Sequence, residues 1–304
     1  MDRHRGFARA LLGCLCAIFC VSACLARTSV PKSYVDDKTR AIEGGRKVLV
    51  VVPQTSIGAG YQTFNMGPMM GLVPVLISIE INKLRAGDAQ RLAGPLYAAL
   101  ASYDFNGPFY ASLLPPAKAS SWLHGQDFEF TQAGDPHSLE TELNESNTRQ
   151  MLVLCGTYYI DFHQQRLTVE LKSTILIRKI PKGKHGSVRL DPDYIPYQQV
   201  YRYIAYLPQS EGAAPEANFA RWAADDGKLA RRALDRGILR VSTMFAANLD
   251  ADKAAIGRWR HRGDRHTVEK FGLLGWVVER DGDRTQLVEA RTGTLNDIET
   301  IAVD

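Results

Sequence analysis

Four cysteines, at positions 14, 16, 20 and 24, lie close together in a short apolar stretch near the start of the chain. Thiols at such spacing could hold zinc or an iron–sulfur cluster, form disulfides, or offer one sulfur for acylation. A metal site needs polar groups around its ligands, whereas only Leu, Ala, Ile, Phe, Val and Ser separate these cysteines. The sequence therefore argues against a metal site here, and it predicts no cofactor.

The residues around the cysteines have the pattern of an export signal. Three arginines occur among the first nine residues, and a nearly continuous apolar run follows over residues 10–23. This run is long enough for the core of a signal peptide and too short to span a membrane comfortably. The first three cysteines then act as small hydrophobic residues.

The apolar run closes with Val21-Ser22-Ala23-Cys24, which resembles the lipobox of bacterial lipoproteins. The resemblance implies that residues 1–23 are removed, that the thiol of Cys24 carries a diacylglycerol, and that the new amino terminus is acylated. Leu25 follows, whereas retention in the inner membrane of many such lipoproteins is associated with aspartate at that position. The resemblance thus implies a protein that is attached to the outer membrane and faces the periplasm. Two or three acyl chains would attach it stably to the bilayer.

The rest of the chain is nearly neutral. The full sequence has 37 basic and 33 acidic side chains, a net charge of +4. Beyond the signal, Cys155 is the only cysteine besides Cys24, so disulfides cannot provide a framework and stability must come from a buried core. The small net charge and the export signal argue against a nucleic-acid partner.

Composition divides the chain into four parts. They are a signal peptide over residues 1–23, a polar tether over 24–46, an α+β body over 47–250, and a linker with a small β-hairpin region over 251–304. The tether lacks a periodic apolar pattern, so we expect it to hold the body away from the bilayer.

Hydrophobic periodicity predicts the elements of the body. A β-branched run over residues 47–53 indicates a strand buried on both faces, and apolar residues at helical spacing indicate a helix over 89–103. Alternation over 150–207 predicts a long hairpin and a third strand, with one face exposed to water. An apolar stripe over 230–249, preceded by the N-cap candidates Asp225-Asp226-Gly227, predicts a helix that packs on the sheet.

The C-terminal part is predicted to be β-rich. The Asp281-Gly282 turn signal indicates a hairpin, and a further short strand is expected over residues 300–303. Residues 213–218 are predicted to be a break and residues 251–266 a charged linker. The predicted fold class is therefore α+β: an antiparallel-rich sheet packed by two main helices, with a small C-terminal β appendage.

No motif brings a nucleophile together with a base. Gly58 and Gly60 follow a strand, but Thr63 occupies the place of the next glycine in a dinucleotide-binding loop. Ser29 and Lys32 match the Ser-x-x-Lys pattern of penicillin-binding enzymes, but they lie in the tether close to the anchor. The histidines are scattered through predicted loops. The sequence therefore predicts a non-enzymatic protein without a metal.

Two stretches could contact a partner. The Met-rich apolar segment over residues 64–79, interrupted by Pro74, predicts either a core loop or a docking surface for a protein, a lipid or the bilayer interface. Arginines around a tryptophan near residue 259 form either a solvated linker or a contact with headgroups or a partner. The predicted contact residues are Phe64, Met66, Met69, Met70, Leu72, Val75, Arg258, Trp259 and Arg260.

The order of elements resembles that of a set of proteobacterial envelope lipoproteins to which no activity is assigned. The shared features are a strand ending in Val51-Val52-Pro53, a Gly-rich apolar stretch, a helix, a long hairpin, and the run from Trp222 to Leu229 with its helix. The leading hypothesis is an outer-membrane lipoprotein that binds an envelope protein, as an assembly or secretion accessory, through residues 64–79 and a sheet edge. The alternatives are a carrier of lipid or another small hydrophobic ligand, and an envelope hydrolase.

Overall fold

A mixed, mostly antiparallel sheet lies at the centre of the structure, a computed structural model. The predicted signal peptide, Cys24 and the Met-rich segment 64–79 lie outside the residues that it describes. The described residues are 32–43, 45–60, 86–123, 127–146, 148–161, 163–179, 189–190, 195–208, 212–262, 265–268 and 273–301.

The described residues contain eleven strands and seven helices. The strands are β1 Arg46–Val51, β2 Gly58–Ala59, β3 Asp127–Thr131, β4 Gln150–Ile160, β5 Arg166–Lys179, β6 Arg189–Leu190, β7 Tyr197–Tyr206, β8 Arg265–Val268, β9 Leu273–Asp281, β10 Arg284–Glu289 and β11 Leu295–Thr300. The helices are α1 Asp37–Arg40, α2 at residues 86–92, α3 Gly94–Ala99, α4 Asn106–Ala119, α5 Pro136–Glu145, α6 Pro215–Leu249 and α7 Lys253–Arg262.

Nine strands follow one another across the sheet in the order β3-β1-β4-β5-β7-β11-β10-β9-β8, while β2 pairs with β4 and β6 with β5. The apolar strand β1 runs parallel to both of its neighbours, β3 and β4. The strands β4, β5 and β7 form the long antiparallel meander that the sequence predicted. The α+β class is thus confirmed, and the sheet combines parallel and antiparallel pairs.

Helix α6 covers one face of the sheet, as the sequence predicted. At Gly237 a Cβ atom would lie 2.4 Å from the Cγ2 atom of Val169 in β5 and 3.0 Å from the ring of Tyr203 in β7, so glycine allows the helix to approach closely. The buried Trp222 donates its indole N–H to the Gln164 carbonyl at the β4–β5 turn, at 3.0 Å. The main hydrophobic core therefore lies between α6 and the sheet.

Within the described ranges, helices cover the second face of the sheet only in part. Leu143 of α5 packs on Leu49, Val51, Met151 and Val153 of β1 and β4, which makes β1 buried on both faces. Farther across the same face, the Arg202 guanidinium binds the Glu170 carboxylate at 2.7 Å. On β5 and β7 this face is therefore polar but not fully exposed to water, since Thr168 and Thr174, which were predicted to be wet, are 4 % and 9 % exposed. Helix α5 covers β1 and β4.

Helix α6 is interrupted within the run that was predicted to cap it. Asp225, Asp226 and Gly227 have φ angles of 52°, 57° and 70°, all in the left-handed region. Gly227 lies against α3, where an added Cβ would be 3.2 Å from the Cβ of Ala99. Three successive left-handed residues, two of them aspartates, are a strained arrangement that only surrounding contacts can maintain.

The prediction of a tether over residues 24–46 is wrong for its second half. Val35 and Thr39 are buried, and the guanidinium of Arg40 donates to the carbonyls of Asp250 and Ala251 at 3.1 and 3.2 Å. Residues 32–43 therefore pack on the body. Sequence periodicity could not show this, because helix α1 is only one turn long.

Three further predictions along the chain are corrected by the structure. The break expected at 213–218 contains the start of α6, where extended Ala214 precedes Pro215 at the first helical position. The linker expected at 251–266 contains α7 and β8. Among the described residues, the third C-terminal strand is β11, which begins at Leu295 rather than at Thr300.

The C-terminal strands are not an appendage to the body. Strand β11 pairs in parallel with β7, from Leu295 opposite Tyr201 to Thr300 opposite Tyr206. The predicted hairpin of β9 and β10 is confirmed, and through β11 it extends the central sheet. Because this parallel pairing joins strands that are distant in sequence, local turn signals could not indicate it.

Candidate functional site

Strand β3 forms one edge of the sheet, and within the described ranges its only strand partner is β1. The amide of Val52 donates to the carbonyl of Thr131 at 3.1 Å, so the backbone groups of Thr131 point toward β1. Since these groups alternate in direction along a strand, those of Phe128 and Phe130 point away from β1. The outer side of β3 therefore presents donors and acceptors that a further strand could use.

An aromatic surface flanks this edge on the side of α4. Phe130 is 39 % exposed, and its ring meets the ring of Tyr110 edge-on at a centroid distance of 6.0 Å. The ammonium of Lys118 lies 5.5 Å from the centre of the Phe128 ring, and the Tyr110 hydroxyl donates to the Phe128 carbonyl at 3.4 Å. Helix α4 thus holds both phenylalanines in place beside the edge.

An acidic surface flanks the edge on the side of α5. The ammonium of Lys47, a side chain that is 5 % exposed, lies 2.6 Å from a carboxylate oxygen of Glu129 and 2.6 Å from one of Glu142. Burial lowers the pKa of Lys47, but the hydrogen bonds and charges of the two glutamates outweigh it and raise the pKa. One ammonium pairs with two carboxylates, and the exposed Asp127 adds a third carboxylate. This surface therefore keeps a net negative charge.

The two flanks and the open backbone between them suit the addition of an extended peptide. In strand addition, backbone hydrogen bonds provide affinity and the alternating side chains provide specificity. Two copies of β3 would bring Asp127 and Glu129 against the same acids of the other copy, and like charges across a strand pair are destabilising. The acids therefore disfavour self-pairing and favour a partner with basic residues.

The predicted contact residues do not lie at this edge. Residues Phe64, Met66, Met69, Met70, Leu72 and Val75, together with the predicted lipid-attachment residue Cys24, fall outside the described residues. Arg258 is exposed on α7, and Trp259 and Arg260 follow it in the same helix. The segment predicted to be a charged linker therefore includes a helix, and its contact role stays a prediction.

The sequence predicted a contact at a sheet edge but did not predict strand β3. The signal that could have found it is the alternation of acids and phenylalanines in Asp127-Phe128-Glu129-Phe130. Among the described residues, no group of three His, Cys, Asp or Glu side chains could hold a metal ion. No helix in the described part of the chain is both long and apolar enough to cross a membrane.

Comparison of the chain with protein-family models gives no match, and comparison with curated proteins gives none either.

Proposed function

We propose that this chain is a lipid-anchored, non-enzymatic protein of the outer membrane that binds an extended segment of another cell-envelope protein along strand β3. The lipobox resemblance at Cys24 supports the anchor and the periplasmic orientation. The observation that supports the binding role is the edge of β3, where Phe130 directs its N–H and carbonyl outward and Phe128 its N–H, while the Phe128 carbonyl accepts from Tyr110. An assembly or secretion accessory fits this mode of binding.

The flanks of β3 define the chemistry of the partner segment. A strand added beside β3 would place every second side chain next to Phe128 and Phe130, where apolar residues gain contact area. The intervening side chains would lie beside Asp127 and Glu129, where Lys or Arg would compensate the acids. The expected partner is therefore a segment in which apolar and basic residues alternate.

Photo-crosslinking in intact cells tests this proposal. A photoreactive residue replaces Phe130 in one variant and Leu239 in a control; Leu239 is 62 % exposed on α6. We expect one recurrent envelope protein to be captured from position 130 only, through a segment of alternating apolar and basic residues. Capture of the same proteins from both positions, or of no protein from position 130, would contradict the proposal.

A further inference from the structure

A small pocket opens at the carboxyl end of β1, on a different part of the molecule from the contacts proposed for β3. Its volume is about 80 Å³. Three groups of residues line it: Thr55, Ser56 and Ile57 after β1; Tyr97, Leu100 and Ala101 in and after α3; and Tyr103 and Tyr158. The carboxyl ends of parallel strands are where ligands bind in open α/β sheets, and β1 lies between two parallel neighbours.

The tyrosines of the pocket are held in fixed positions. The Tyr158 ring stacks on the Phe105 ring at a centroid distance of 4.0 Å and an interplanar angle of 24°. The Tyr103 hydroxyl donates to a carboxylate oxygen of Asp235 at 2.7 Å. A binding site needs such support from behind, because a wall that moves must be ordered again when the ligand arrives.

The strained segment of α6 supports the same wall. Gly227 approaches α3 so closely that a Cβ atom would lie 3.4 Å from the Cδ2 of Leu100. The Arg231 guanidinium, four residues later, donates to the Ala99 carbonyl at 2.5 Å and to the Ser102 hydroxyl at 3.1 Å. The left-handed run at 225–227 therefore fixes the end of α3, and backbone strain of this kind clusters at binding sites.

The lining residues define the chemistry of a ligand. Five of the eight lining side chains carry a hydroxyl group, and none is an ionisable acid or base of the Asp, Glu, Lys, Arg or His type. Burial and the Asp104 carboxylate raise the pKa of Tyr158, while a hydrogen bond with Gln54 lowers it; the net pKa is about 12, so this hydroxyl is neutral at physiological pH. Near the pocket, the Arg231 guanidinium lies 6.0 Å from the centre of the Tyr103 ring and offsets the carboxylates of Asp104 and Asp235, so no uncompensated charge favours an ionic ligand. The many hydroxyls do not suit a hydrocarbon chain.

We propose that this pocket binds one end of a neutral sugar. A sugar ring combines C–H faces, which pack on aromatic and aliphatic walls, with hydroxyls that exchange hydrogen bonds with tyrosine, serine and threonine. A cavity of about 150 Å³ encloses benzene, so a pocket near half that volume holds only part of a ring. The remainder of the ligand therefore extends through the open mouth, which suits the terminal residue of a saccharide.

Saturation-transfer NMR on the full chain tests this inference with three probes that each contain one six-membered ring. Methyl glucoside is a neutral hydroxylated ring, methyl glucuronide is the same ring with a carboxylate, and cyclohexanol is a mostly apolar ring. We expect saturation transfer to methyl glucoside. The other two probes should bind with at most about a tenth of the affinity of methyl glucoside. Equal binding of all three, preference for either control probe, or no binding of methyl glucoside would overturn the inference.

Two variants on and after helix α3 locate the signal. Ala101 lines the pocket and is exposed, so Ala101→Trp should fill the mouth and weaken methyl glucoside binding by about tenfold or more. Ala98 is also exposed but does not line the pocket, so Ala98→Trp should leave binding unchanged. Thermal melts of both variants confirm folding. Equal loss of binding in the two variants, or no loss in Ala101→Trp, would place the sugar elsewhere.

Discussion

Replacing Gly156 by alanine is expected to destabilise the protein, because this glycine allows α4 to pack on the sheet next to the proposed binding edge. Gly156 lies in β4 opposite Phe109 of α4, and an added Cβ would be 2.4 and 2.5 Å from two ring carbons of Phe109. Real Cβ atoms do not approach so closely, so either the ring or the helix has to move.

The size of the expected loss of stability depends on how little the Phe109 ring can move. It is fully buried and stacks on Phe105 at 5.1 Å, so it cannot swing into solvent. Inserting one methyl group into such a core costs about 1–3 kcal/mol. The reduced entropy of the unfolded chain offsets about 0.4–1 kcal/mol of this. We expect a net loss of about 1–2 kcal/mol in the free energy of unfolding.

Urea unfolding of the wild-type protein and the Gly156→Ala variant measures this loss of free energy. In thermal unfolding, the same loss should lower the melting temperature by about 2–4 °C per kcal/mol. The matched control is Gly257→Ala in α7, where nothing lies within 4 Å of the added Cβ. Its stability should be unchanged or slightly higher, since alanine favours the helix. A Gly156→Ala variant as stable as Gly257→Ala would refute the reasoning.

Three further predictions concern charges and the anchor. Burial raises the pKa of Asp36, but hydrogen bonds from Lys32 and Thr39 outweigh it and lower the pKa to about 2. Asp36→Asn should therefore reduce the melting temperature at pH 7. The difference between the two proteins should disappear as the pH falls through about 2. Lys47→Met leaves the carboxylates of Glu129 and Glu142 facing each other and should lower the free energy of unfolding in urea by about 1–2 kcal/mol. An unchanged free energy of unfolding would show that the ion pairs do not contribute to stability. Cys24→Ser should remove the acyl mass from the intact protein and release it from the membrane fraction, and an unchanged mass would contradict the anchor.

The elements that the sequence predicted are those with a strong local period. The apolar run of β1, the alternation of β4, β5 and β7, and the stripe of α6 each bury one or two faces over many residues, so the pattern is visible without the fold. The turn at Gly282, where φ is 56°, likewise has a local cause and was predicted.

The missed elements depend on distant contacts. Helix α4 contains Pro115 and Pro116, which disfavour a helix locally, yet its buried Phe109 and Leu113 pack on the sheet. Strand β3 has only five residues with an exposed, acidic pattern, and it becomes a strand because it pairs with β1. The sequence could not show that β3 is an edge strand, because topology and not composition decides which strand ends a sheet.

The measurement that tests the central claim most directly compares two substitutions at position 130. Both Phe130→Ala and Phe130→Pro remove the aromatic side chain, but only proline removes the outward-facing N–H, and neither disturbs the amides that pair with β1. A photoreactive residue at the exposed Asp127 reports partner capture in intact cells. If the partner adds as a strand, Phe130→Pro should lower the crosslink yield about tenfold below that of Phe130→Ala. Equal yields from the two variants would show that the partner does not pair with the backbone of β3.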